Sequence, residues 1–280
     1  MQNDKSKALA DSITASIEHL AEMTDQAAKS ETFKFWLRAI SRFHSYSFNN
    51  SLLILCQRPS ATRVAGFNTW KALGRNVKKG AKGIAILAPC VGKRTVEDET
   101  TGEKTSAQRL YGFRVTHVFD EADTEGREIP TLEYRASEGG DELLPRLENA
   151  ARRMGITLEY RENTGAPRGW SEGGKIVVRS TLTTSERCGT LAHELAHEYL
   201  HWEQNRRTSL TPEQRELEAE ATAYAILAQY GIEQSSQNYL ASWDASAETI
   251  TASLHTIRAA VHHIMAAMEP EETASEQLAA

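Results

Sequence analysis

Three residues in the second half of the chain, His193, Glu194 and His197, stand as H-E-x-x-H within "TLAHELAHEYLH". On an α-helix, positions four apart share a face, so both imidazoles can reach one cation. Glu194 follows the first histidine and is placed to take a proton from a metal-bound water during attack on a carbonyl. The spacing also arises by chance on amphipathic helices, but its surroundings argue against chance. "TTSERCGTLA" supplies a helix start, with Thr183 or Thr184 as cap and Glu186 nearby, and Leu191, Leu195 and Leu200 give an apolar face beside the histidines. The expected cofactor is one zinc ion per chain, or another divalent metal in its place, with Glu194 as catalytic base.

Two histidines leave such a site one protein ligand short. About twenty residues on, "RELEAEATAY" places Glu216 and Glu220 four apart on one helical face, while Glu213 and Glu218 read as a solvated acidic face. This arrangement resembles gluzincin-type peptidases. The resemblance implies Glu216 as the third ligand and Glu220 as hydrogen-bond partner of a ligand histidine, with the reverse assignment left open. His201 lies eight residues past His193, about 80° around an ideal helix. It reads as a supporting group, a transition-state hydrogen bonder or a surface histidine rather than a ligand.

These side chains need elements to hold them. Ahead of the motif, a helix is expected over about 141–154, then strands in "ITLEYRE" and "KIVVRS" around the Gly-rich "NTGAPRGWSEGG". In zinc peptidases an edge strand at the place of "KIVVRS" often pairs with an extended substrate, and the Gly-rich stretch reads as a gate on the cleft. Helices follow over about 212–230 and 247–268, and a disordered tail over 269–280.

The first half has a different chemistry. From Thr32 to Val96 there are twelve Lys or Arg and no Asp or Glu, although the whole chain carries a net charge of −6. Segregation of this kind marks polyanion-binding surfaces. Arg58, Arg63, Lys71, Arg75, Lys78, Lys79 and Lys82 are interleaved with aromatics, among them Phe67 and Trp70 in "GFNTW". Cations follow a phosphate backbone and aromatic faces stack unpaired bases, so single-stranded DNA is the expected partner. Helices are expected over about 5–28 and 31–46 and in "NNSLLILCQR". "GIAILAPCV" and "LYGFRVTHVFD" read as strands joined by a polar, turn-rich excursion, "GKRTVEDETTGEKTSAQR".

The block from "SFNNSLLILCQRPSATRVAGFNTWKALGRNVKKGAKGIAILAP" through "YGFRVTHVFDEADTEG" resembles the N-terminal domain of ArdC-type antirestriction proteins and related plasmid primases. "HELAHEYLH" with "RELEAEATAY" resembles their zincin-like C-terminal domain, akin to ImmA/IrrE peptidases. The resemblance implies an α+β chain of two domains. One is a single-strand-binding domain over 1–130, and the other a zincin-like metallopeptidase domain over 131–268 carrying the HExxH helix. It also implies a mobile-element protein that protects incoming DNA from restriction. If the peptidase is active, the expected substrate is an unidentified host protein such as a restriction or DNA-processing factor. Two alternatives stand beside it: a protector that binds DNA around a structural metal without hydrolysis, and a regulatory protease that cleaves a repressor.

Three well-separated cysteines argue against a disulfide framework, and no apolar run is long enough for a membrane helix. The N-terminus lacks the apolar core of a secretory leader. A cytoplasmic protein without a membrane partner is expected.

Overall fold

The computed structural model describes residues 2–23, 26–97, 104–128, 140–162, 167–204, 206, 208–232 and 247–269. The expected connector and tail fall largely outside these residues. The chain divides into two compact units, Met1–Ser16 with Asn49–Pro130, and Ile17–Phe48 with Thr131–Ala280. Helix α1 (Gln2–Glu22) runs through the division.

The first unit is built on an antiparallel hairpin, β3 (Ile84–Glu97) and β4 (Lys104–Asp120), with β1 (Val64–Gly66) on the other side of β4. The polar stretch expected as an excursion is mostly strand, because the ladder continues from Val91↔Leu110 to Glu97↔Lys104. A bulge falls between Cys90 and Val91, opposite Gly112 at φ 148°, a conformation that residues with a Cβ avoid. Ile84, Ile86 and Val118 are buried on one face of the hairpin. The outer edge of β3 is closed by α3 (Phe48–Gln57). The Asn50 amide bonds both the N–H and the carbonyl of Leu87, and the Gln57 amide does the same for Ala85, all at 2.8–2.9 Å. These bonds satisfy backbone groups that would otherwise invite another strand. Helix α4 (Phe67–Ala72) follows β1, and β2 (Arg75–Val77) pairs with β5 (Thr124–Gly126).

The second unit packs helices around a three-stranded sheet of order β6-β8-β7. Here β6 (Thr157–Arg161) runs parallel to β8 (Lys175–Arg179), and β7 (Gly169–Ser171) antiparallel to it. Ile176, Val177 and Val178 are buried, so β8 is the central strand. The edges are β6 and β7, and β7 is drawn from the stretch that reads as a gate. Helices α5 (Leu143–Arg153), α6 (Thr184–His197), α7 (Pro212–Gln229) and α8 (Ala247–Met268) complete the unit together with α2 (Gln26–Arg42). The placement of α2 departs from an N-terminal domain over 1–130. Phe33, Trp36, Leu37, Ile40 and Phe43 recur at helical spacing and are all buried. That stripe packs on α7 and α8, so residues 17–48 join the second unit.

Candidate metal centre

Helix α6 begins where its sequence provides a cap. Thr183 Oγ1 accepts from the Glu186 N–H at 3.3 Å, and the Glu186 carboxylate accepts from the Thr183 N–H at 3.0 Å, a reciprocal capping box. Thr211 and Gln214 repeat the device at the start of α7, with Pro212 in its first turn. Helices α6 and α7 pack against each other, which brings His193 and His197 opposite the glutamates of α7.

His193 Nε2 and His197 Nε2 are 3.0 Å apart, and the Glu216 carboxylate oxygens lie 3.3 Å from the first and 3.4 Å from the second. Ligand atoms about 2.0–2.1 Å from one tetrahedral ion lie about 3.3 Å apart, so the donors fit a divalent metal without rearrangement. All three sit in one group whose ligand atoms are within 4.8 Å of one another. His193 turns its other nitrogen, Nδ1, to Glu220 Oε2 at 3.2 Å. The geometry therefore puts Glu216 at the Nε2 atoms of His193 and His197, and Glu220 behind His193 at Nδ1.

Electrostatics favours a cation here. Burial alone would lower His193, but the Glu216 and Glu220 carboxylates outweigh it and raise the imidazole to about 10. Glu216 is held well below the usual carboxylate range by His193 and His197. Burial lowers His197 and raises Glu194, the latter to about 7. Glu194 is 7% exposed, and a carboxyl titrating near neutrality suits a general base.

The site opens into a cleft of about 830 Å³, lined among others by His193, Glu194, Glu216, Gly169, Trp170 and Trp202. Strand β7 lies so close to α6 that a Cβ on Gly169 would sit 2.5 Å from Thr190 Cγ2 and 3.3 Å from Glu194 Cγ. The turn from β7 to β8 is held by Glu198, the residue after His197. Its buried carboxylate accepts from the Gly173 and Gly174 N–H groups at 2.9 and 2.6 Å.

Beyond His197 the helix widens into a π-helical segment, Glu198–Glu203, where Gln204 N bonds the Tyr199 carbonyl five residues back. A π turn advances less per residue than an α turn. His201 is therefore nearer the ligand face than an ideal α-helix would put it, and its Nδ1 meets His197 Nδ1 at 3.0 Å. Glu218 is not on a solvated face. It is 3% exposed, and Arg206 donates to both its oxygens at 3.0 and 3.1 Å. Burial raises the Glu218 carboxyl, but His201 and Arg206 prevail and lower it. Glu198, Arg206 and Glu218 are the members of this neighbourhood that sequence reasoning missed. The only hint was three glutamates at alternate positions, 216, 218 and 220, facing histidines on two sides.

The residues expected to meet DNA separate into two groups. Trp70 is 2% exposed and its indole donates to the Phe119 carbonyl at 2.9 Å, so it is core and stacks no base. Arg58 is bonded to Asp123, and Arg63 donates to Glu121 at 2.6 Å. Arg75 is bound to Thr124 and to the Arg127 carbonyl, and Lys78 Nζ donates to the Ala122 carbonyl at 2.9 Å. Phe67, Lys71, Lys79 and Lys82 are exposed. The hairpin adds exposed residues absent from that expectation: Tyr111, Phe113, Arg109 and Arg114. The Arg109 guanidinium stands 6.0 Å from the Tyr111 ring centre. The ring lies over Gly92, where a Cβ would meet it at 2.5 Å.

Comparison with known proteins also divides the chain in two. Residues 3–119 match the N-terminal domain of anti-restriction factor ArdC, and residues 151–263 match the IrrE N-terminal-like domain, a peptidase family. The protein pXO2-81 of Bacillus anthracis is 26% identical over 254 aligned positions that cover 75% of this chain and 43% of the relative. The chain thus spans less than half the length of that curated relative. Two crystal structures of the antirestriction ArdC protein from the R388 plasmid are similar. The metal-free one is 19% identical, with TM-score 0.46 over 79% of this chain and 81% of its own. The Mn(II)-bound one is 18% identical, with TM-score 0.42 over 83% and 94%. No helix among the described residues is long and apolar enough to cross a membrane. The chain therefore carries an ArdC-type N-terminal domain followed by an IrrE N-terminal-like domain.

Proposed function

We propose that the chain is a metal-dependent endopeptidase tethered to single-stranded DNA, and that it protects the incoming DNA of a mobile element from host restriction. The observation that carries the enzymatic part is the convergence of His193, His197 and Glu216 on one point, with buried Glu194 beside them. Two imidazoles and a carboxylate suit zinc, with manganese the ion to compare. A bound ion would act as a Lewis acid and lower the pKa of a water ligand toward neutrality. Glu194 holds the proton exchanged with that water. Glu216 serves as third ligand, Glu220 fixes His193, and the free edge of β7 takes an extended segment of a host protein along the cleft.

Support for the DNA-binding part comes from the match to the ArdC N-terminal domain and from the exposed surface of the first unit. Tyr111, Phe113 and Phe67 offer rings, and Arg109, Arg114, Lys71, Lys79 and Lys82 offer cations. This set replaces Trp70 and the arginines bound within the fold.

The test is Glu194→Ala in a transformation assay with unmodified DNA and a restricting recipient. The variant is expected to keep its metal and lose protection. Undiminished protection would overturn the role of hydrolysis and leave a DNA-binding protector. In parallel, the full chain should bind a labelled single strand more tightly than the matching duplex. Equal affinity for both would overturn the single-strand reading.

A further inference from the structure

The two ligand histidines are backed differently. His193 meets the Glu220 carboxylate directly through Nδ1, at 3.2 Å. Among the described residues His197 meets no carboxylate through Nδ1 and faces another imidazole, His201 Nδ1, at 3.0 Å. The far nitrogen of that imidazole, His201 Nε2, lies 3.5 Å from Glu218 Oε2. The separation is an ion-pair contact longer than a formed hydrogen bond, and among the described residues Nε2 has no other partner although His201 is 2% exposed. Arg206 grips Glu218 from behind through both oxygens.

Proton positions along this row follow from what each nitrogen faces. If His197 Nε2 is the ligand, its proton sits on Nδ1 and is donated to His201 Nδ1. His201 must then carry its own proton on Nε2, which points at the Glu218 carboxylate. A carboxylate there stabilises that tautomer, and Arg206 keeps the carboxylate charged and oriented. In this arrangement the His201 Nε2 proton faces the Glu218 carboxylate across 3.5 Å, and His197 Nε2 is left bare toward Glu216.

We infer that Glu218, held by Arg206, acts through His201 as a positioning residue for the ligand His197, a one-imidazole extension of what Glu220 does for His193. This rests on the reading of His193, His197 and Glu216 as metal ligands. It assigns a task to the residue after the third ligand's neighbour and to a histidine that is not itself a ligand. Groups that orient a metal ligand are worth about 10- to 100-fold in metal affinity.

The experiment is a double-mutant cycle on the full chain. Zn2+ affinity is measured by competition with a chromogenic chelator for wild type, Glu218→Gln, His201→Ala and the double variant. The melting temperature of each metal-free protein is recorded alongside. The expected result is a 10- to 100-fold loss for Glu218→Gln in the wild-type background and less than a twofold further loss in the His201→Ala background, because the route is already cut. An equal loss in both backgrounds, or none in wild type, would overturn the inference. If Glu218→Gln does not fold, Glu218→Asp, which keeps the charge and shortens the reach, takes its place in the same cycle with the same criterion. Failure of wild type to bind Zn2+ would overturn the metal reading and this inference with it, which separates that failure from an unchanged affinity in Glu218→Gln.

Discussion

In the second unit carboxylates gather around imidazoles; in the first they gather around guanidinium groups. Helix α7 aims Glu216, Glu218 and Glu220 at His193, His197 and His201. The end of β4 and the turn after it turn Glu121 and Asp123 onto Arg63 and Arg58, while buried Asp120 accepts from the Thr62 and Ala122 N–H groups. The two assemblies are of similar chemistry and opposite consequence. Around the histidines, the acids leave three ligand atoms converging on one point. Around the arginines, they consume charges that a phosphate backbone would otherwise meet. A run without acids in sequence is not a run without acids in space, because β1 pairs with β4 and brings residue 64 opposite residue 120.

That contrast can be broken most forcefully at Trp70. Its burial predicts that Trp70→Ala costs about 3–5 kcal/mol of stability in denaturant unfolding. Phe67→Ala, three residues away and 53% exposed, should stay within about 0.5 kcal/mol. Equal, small effects would return Trp70 to the list of stacking residues. Next in size is Glu198→Ala. Gly173 and Gly174 are exposed, so their N–H groups regain water when the carboxylate is lost; the two bonds together then predict about 1.5–3 kcal/mol, with faster amide exchange at both glycines. Unchanged exchange there would mean that Glu198 does not hold the β7–β8 turn. The smallest effect concerns the lysines. Lys79→Ala with Lys82→Ala should weaken single-strand binding a few-fold and lower the salt slope by about 0.7 per lost phosphate contact. Arg58→Ala should instead lower stability. A larger slope change for Arg58 than for the lysines would reverse the assignment.

What could be read in advance follows the range over which each signal acts. The motif helix, its cap at Thr183 and the pairing of Glu216 with Glu220 are local, set by residues within one or two turns. The strands "KIVVRS" and "ITLEYRE" emerge as expected, since apolar runs bounded by turn residues declare themselves. The edge position of β7 did not, because three residues among glycines carry no period. Nor did the role of Glu218, which requires knowing that the helix after His197 widens and that Arg206 returns to it. The aromatics of "GFNTW" illustrate the same limit of local reasoning. Two rings three apart on one short helix end on opposite sides of the burial boundary.

The central claim, that the second unit is built to hold one divalent metal, is tested most directly by calorimetric titration of the metal-stripped full chain with Zn2+, repeated on His197→Ala. The prediction is one equivalent bound by wild type and none by the variant at micromolar metal, with both proteins retaining the same far-ultraviolet circular dichroism. Equal binding by wild type and His197→Ala, or no binding by a folded wild type, would contradict it.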